Sequence, residues 1–174
     1  VEADIVYEAK GKVMVKQGES IFCKSIHVDS AEQIACKKIE GDVYIHNDGA
    51  FSQDVTIKGM LTNAGVSDLA GYTLRADTIW MKAYFRMNRP EDTIYVNDLN
   101  IELNQVDNGY MTDGTIHIYD DFWERSSTHC IFHPSGKHTV VFYPQEKNNG
   151  RIYFSKEESK FNIAVLKGKL NNYV

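Results

Sequence analysis

Gly11-Lys-Val13-Met-Val15 and Gly41-Asp-Val43-Tyr-Ile45 lie thirty positions apart, and the reading of this pair decides the fold. Each is followed by a polar turn containing glycine, Gln17-Gly18 in one case and Asn47-Asp48-Gly49 in the other, and then by a second alternating run. Short strands and turns repeated without an intervening helix mark a stacked β architecture, in which each unit covers its neighbour's apolar face instead of closing a core alone. Such a chain is a scaffold or conduit before it is a catalytic pocket.

Strand signals continue to the far end. Apolar residues alternate with polar ones at Val13/Val15, Ile26/Val28, Val43/Ile45, Val55/Ile57, Ile79/Met81, Ile94/Val96, Ile101/Leu103, Ile116/Ile118, Val140/Phe142, Ile152/Phe154 and Ile163/Val165. Turn formers separate them, among them Asn63-Ala64-Gly65, Asp107-Asn108-Gly109, Asp113-Gly114, Pro134-Ser135-Gly136 and Asn148-Asn149-Gly150. Asn-Gly and Asp-Gly pairs favour tight hairpins, so pairing between strands adjacent in sequence is expected. Only 31–38 and 156–160 have the composition for a helical turn or two. No linker divides the chain, which reads as one all-β domain over 1–174 with a change of character near Arg89-Pro90.

Composition narrows the function. The chain has 174 residues, 43% of them hydrophobic, which is ample for a folded core. Nineteen basic against twenty-four acidic side chains give a formal charge of −5, so no nucleic-acid footprint is present. No apolar run approaches the roughly 20 residues that cross a bilayer as a helix. The first residue is Val1 rather than Met, which leads us to expect an exported, periplasmic protein whose signal or anchor segment is absent from this sequence. Cys23, Cys36 and Cys130 fit no zinc spacing; export would allow two of them to pair, and strand-like settings suit Cys23 and Cys36 as small hydrophobes.

A second layer of the repeat carries a family resemblance. Tyr7-Glu-Ala9-Lys-Gly11-Lys-Val13 is echoed by Lys38-Ile39-Glu-Gly41-Asp-Val43, and Phe22-Cys23-Lys-Ser-Ile26 by Leu74-Arg-Ala76-Asp77-Thr-Ile79. In its Ala-x-Gly-x-Val step (Ala9, Gly11, Val13) and its Leu-x-Ala-Asp step (Leu74, Ala76, Asp77) the chain resembles the OstA-like family of periplasmic lipopolysaccharide-transport proteins. The match covers the first half. It departs at Ile39, where the family has a small residue, and over 120–138.

The resemblance implies an elongated, open, twisted β-jellyroll that carries lipopolysaccharide acyl chains towards the outer membrane. Burying a methylene is worth roughly 0.8 kcal/mol, so an acyl chain of about a dozen carbons needs a greasy path worth about 10 kcal/mol. The expected groove wall is Val13, Val15, Ile26, Val28, Val43, Ile45, Val55, Ile57, Leu74 and Ile79. In a closed β protein the same residues fill a core. An open jellyroll also implies edge strands that add to other β-jellyroll transport proteins or assemble head to tail as a homo-oligomer, here with Ile5 and Val6 at one end and Phe161, Ile163 and Val165 at the other.

A different class competes with the carrier. Val55-Thr-Ile57-Lys-Gly59-Met-Leu61-Thr-Asn63-Ala-Gly65 resembles the strands of phage tail fibres, pilus-tip stalks and bactofilin-type solenoids, which implies a trimeric or polymeric stalk or adhesin. The polar candidates are weaker. His129, Cys130, His133 and His138 crowd together, but His129 and His133 on one strand are about 13 Å apart, too far to share an ion, so no metal site is expected. Tyr119-Asp120-Asp121-Phe122-Trp123-Glu124 has the ingredients of a sugar cleft, but an acidic turn anchored by Phe122 and Trp123 explains the same letters and is the expected reading. Without a nucleophile elbow, phosphate loop or dinucleotide fingerprint, no catalytic residue or cofactor is expected.

Overall fold

The structure, a computed structural model, describes residues 20–104, 109–126, 130–143 and 150–168. Thirteen strands follow in order: β1 (Ser20–Val28), β2 (Lys38–Ile45), β3 (Gly49–Ala50), β4 (Val55–Asn63), β5 (Ser67–Asp68), β6 (Thr73–Met81), β7 (Phe85–Arg86), β8 (Thr93–Ile101), β9 (Thr115–Ile118), β10 (Phe122–Glu124), β11 (Thr139–Phe142), β12 (Ile152–Phe154) and β13 (Ile163–Leu166). The sole described helical element is a 3-10 turn at Ala31–Gln33. Among the described residues every strand pairing is parallel. The main sheet runs β1-β2-β4-β6-β8-β9-β11-β13, and β3, β5 and β7 form a short sheet of their own. This is a β-solenoid, a stack of parallel rungs.

The long strands bend. In β6 the buried residues are Leu74 and Ala76, then Ile79 and Met81; in β8 they are Ile94 and Val96, then Leu99 and Ile101. A flat strand alternates sides at every residue, so a step of three would turn the second pair outward. The chain therefore turns a corner between the halves, and from β8 onward they part company: the first half pairs with β9 and the second with β10. With the short sheet of β3, β5 and β7, the solenoid has three faces around one interior.

Glycine makes the corner where an extra residue must fit. Gly41 and Gly59, eighteen residues apart, have φ of +146° and +152°. A Cβ on Gly41 would sit 2.0 Å from the Cys23 carbonyl oxygen, and one on Gly59 2.6 Å from that of Gly41. The corners stack on one another, and the Asp42 Oδ1 accepts a hydrogen bond from the Met60 N–H at 2.9 Å. The glycine of the Gly-x-Val motif is thus a corner piece.

Two expectations are corrected here. Ile26, Val43, Leu61 and Ile79 lie side by side across β1, β2, β4 and β6, so the Gly41-x-Val43 step and the runs ending at Ile26 and Ile79, separate layers of the repeat in the sequence, are the same element in successive rungs. The step is 17 or 18 residues there, as from Val43 to Leu61, and not thirty; Gly11 lies outside the described residues. Nor do the described Asp-Gly turns, 48–49 and 113–114, make hairpins. Asn47-Asp48-Gly49 leads from β2 to β3, and its polar groups bond to the next turn: Gly49 N–H donates to Val66 O at 3.1 Å, and Asp48 Oδ1 accepts from Val66 N–H at 2.7 Å. Satisfying the turn backbone between rungs removes the need for a reversal.

The interior is one apolar cluster from Ile26 to Phe142. Its far end is aromatic, with Phe122, Phe132, Phe142 and Phe154 around Phe161 at centroid distances of 4.9 to 6.1 Å. Buried polar groups are matched to turns. Asn63 Nδ2 donates to Ala83 O at 3.0 Å while its Oδ1 accepts from Ser67 Oγ at 2.6 Å. Asp92 accepts from the N–H groups of Gly71, Asn88 and Arg89 at 2.7 to 2.8 Å, tying one rung to the next. Replacing Gly41 by Ala should destabilise the fold by about 2 kcal/mol or more, since the corner backbone is left-handed and the Cβ has no room. Chemical denaturation would show it, with Lys24→Ala on the exposed side within about 0.5 kcal/mol of wild type.

Candidate functional site

Alternation sorts every strand into an inward and an outward set. Eight of the expected groove residues, Ile26, Val28, Val43, Ile45, Val55, Ile57, Leu74 and Ile79, point inward and are at most 5% exposed. They belong to the packed cluster rather than to an open wall. The hollow bounded by Ile26, Val28, Ile34, Cys36 and Ile39 holds about 10 Å³, about one water and far less than an acyl chain. Val13, Val15, Ile5 and Val6 lie outside the described residues. Phe161, expected at a free edge, is instead clamped among four phenylalanines. Ile163, 41% exposed, and the half-buried Val165 lie in β13, the last strand of the described sheet path.

The outward face carries the chemistry. Across the first face, Thr73, Thr93, Thr115 and Thr139 share one row, and Arg75, Tyr95 and His117 share the row two residues on. The Arg75 guanidinium lies 3.9 Å from the Tyr95 ring centroid, and the other neighbour of Tyr95 is the His117 ring, stacked at 4.5 Å. Tyr143 closes the column: its hydroxyl lies 3.1 Å from His117 Nδ1, and its ring stacks on Tyr119 at 4.9 Å. Burial, and after it the charge of Arg75, holds the His117 pKa below its ordinary value, so the imidazole is neutral at pH 7. Burial, then Tyr143 and Tyr95, raises that of Tyr119, which keeps its proton.

Beside this column runs a trough of about 220 Å³ lined by Thr56, Lys58, Arg75, Asp77, Tyr95, Asn97 and Tyr119, together with backbone of the inward residues between them. It crosses β4, β6 and β8 and ends at Tyr119, just past β9, so parallel stacking brings together residues that are 17 to 63 positions apart in sequence. Its side chains offer cations, a carboxylate, an amide and aromatic rings at an open surface. That is binding chemistry for a polar, extended ligand.

The second face bears a row of its own: His27, Tyr44, Thr62, Trp80, Asn100, Trp123 and Tyr153, one per rung. Trp80 donates its indole N–H to Glu102 at 2.9 Å under the Lys82 ammonium, and the Arg125 and Arg151 guanidinia lie 4.8 and 4.7 Å from the Trp123 ring centroid. Neither row was found from the sequence. The signal for the first row was Thr-apolar-x-apolar at 73–76, 93–96 and 115–118, whose third position carries Arg75, Tyr95 and His117.

Asp121, Trp123 and Glu124 of the acidic turn are engaged within the fold. Asp121 binds Arg151 at 2.8 Å, and these hydrogen bonds outweigh burial to hold its pKa low. Glu124 is fully buried, with Oε1 accepting from Ser126 N–H and Oε2 from the N–H and hydroxyl of Ser155. Cys23, Cys36 and Cys130 are free thiols, and burial raises that of Cys36 to about 11. No group of three metal-ligating side chains occurs among the described residues.

No family profile matches the chain, and no solved structure matches it significantly. A stretch of 107 residues, 59% of the chain, is 27% identical to the probable outer membrane protein PmpF of Chlamydia trachomatis, and it spans 10% of that protein's length. Among the described residues no helix is long and apolar enough to cross a membrane.

His138, one of the histidines weighed as a ligand, is fully buried with neither ring nitrogen hydrogen-bonded. Burial lowers its pKa to about 4, against a smaller opposing pull from Asp113. The unfolded chain takes up this proton first, so the stabilisation is complete above pH 6.5 and is lost as pH falls through about 4. Thermal midpoints should begin to fall below pH 6.5, before the ordinary carboxylate range is reached, and the His138 share of the fall should end near pH 4. His138→Leu should flatten the fall, and an unchanged profile would show that His138 does not set it.

Proposed function

We propose that the chain is a β-solenoid segment of an exported surface protein, a stalk-like module that displays its outward face to a binding partner. The observation that carries this reading is the continuous parallel pairing from β1 to β13 around a filled interior, which makes a rigid spacer and leaves the outer side chains free to meet a partner. The partial likeness to a probable outer membrane protein supports a place at the cell surface. A solenoid also grows by adding rungs. Ile163 and Leu166 on β13, 41% and 40% exposed, suit coverage by a following rung or by a second copy stacked head to tail.

The filled interior weighs against the lipid carrier, because eight of the ten expected groove residues already bury one another. Purified from a Gram-negative host and extracted with organic solvent, the protein should release no stoichiometric acyl lipid by mass spectrometry. Charged substitution at Ile57 should unfold it rather than abolish a ligand complex. One tightly held acyl lipid per chain, shielding Ile45 and Ile57 from labelling, would contradict the stalk reading and restore the carrier.

A further inference from the structure

From the trough on the first face we infer a binding site for a carboxylated, uronate-type glycan. The inference rests on the outward face being the working one, as proposed above. Four features lead to that ligand class. The trough follows the stacking axis across three rungs, and a rung step of about 4.8 Å is comparable to the length of one pyranose, so successive sugars meet successive rungs. Its end wall is the ring of Tyr119, which stacks on Tyr143 by one face. Aromatic platforms of this kind accept the apolar face of a sugar.

The charges select among sugars. Arg75 pairs with no described carboxylate; the Tyr95 ring fixes it in place and leaves its forked N–H donors to a ligand, a geometry that suits a carboxylate in a bidentate pair. Lys58, 3.9 Å from Glu40, is a second cation, and Glu40 is already engaged by Lys38. Against these stands Asp77, which together with Asn97 can accept from or donate to hydroxyls. Two cations and one carboxylate make the lining locally positive on a chain whose formal charge is −5. A ligand with both carboxylates and hydroxyls uses all of it, whereas a bare anion would leave Asp77 and the ring face unused.

Isothermal titration of the whole chain with an oligomer of galacturonate, and with the matching neutral oligomer of galactose, tests this. The expected result is binding of the uronate oligomer that weakens with added salt and is reduced about tenfold or more by Arg75→Gln and by Tyr119→Ala. Trp80→Ala on the second face should leave it unchanged. Both trough substitutions are at partly exposed positions and should keep the wild-type thermal midpoint to within a few degrees. Equal binding of the neutral oligomer, loss on Trp80→Ala instead of Tyr119→Ala, or no binding of either oligomer would each overturn the inference. None of those outcomes bears on the lipid-free interior, so the stalk reading stands or falls separately.

Discussion

The parallel register sets everything else in this molecule. Because each strand bonds to the one a full rung later, a residue's neighbours across the sheet are its own equivalents: Ile26, Val43, Leu61, Ile79 and Leu99 form one row, each beside the next. Inward rows become continuous columns of aliphatic side chains, and outward rows become ladders in which Arg75, Tyr95 and His117 stack. A single-residue slip would turn every side chain of a strand to the opposite side. The hydrophobic columns and the corner glycines together hold the register.

Polar groups inside the stack occur where the chain turns. Asn63 and Glu124 share one inward row with Ile45, Met81, Ile101 and Phe154, at the end of the second face. Each is bonded to backbone of a neighbouring turn, so burial there replaces water with fixed donors and acceptors. Among the described residues the Thr62 hydroxyl, on the second face, and the His138 ring, inside the stack, are the exceptions. Of the two, only His138 can ionise, and its cost appears as acid sensitivity.

Strand content was legible in the sequence, because alternation at pairs such as Val55/Ile57 and Ile79/Met81 reports one buried side whatever the pairing. The direction of pairing was not. Asn47-Asp48-Gly49 has the letters of a hairpin turn, and its role depends on Val66 of the next rung, which local sequence does not reveal. The rung step was hidden for a related reason: it lengthens from 17 residues between Ile26 and Val43 to 24 between Thr115 and Thr139, and a drifting period blurs any fixed repeat. The inward residues were recognised, but composition alone could not separate a groove wall from a core. The trough was illegible because its residues are scattered through the sequence and only stacking gathers them.

The register is therefore the quantity to measure. Amide and α-proton nuclear Overhauser contacts in isotopically labelled protein report which strands lie side by side in solution. Our account predicts contacts between Val43 and Leu61, Leu61 and Ile79, and Ile79 and Leu99, all in the parallel pattern. Antiparallel contacts between neighbouring strands across Asn47-Asp48-Gly49 or Asn63-Ala64-Gly65 would contradict it.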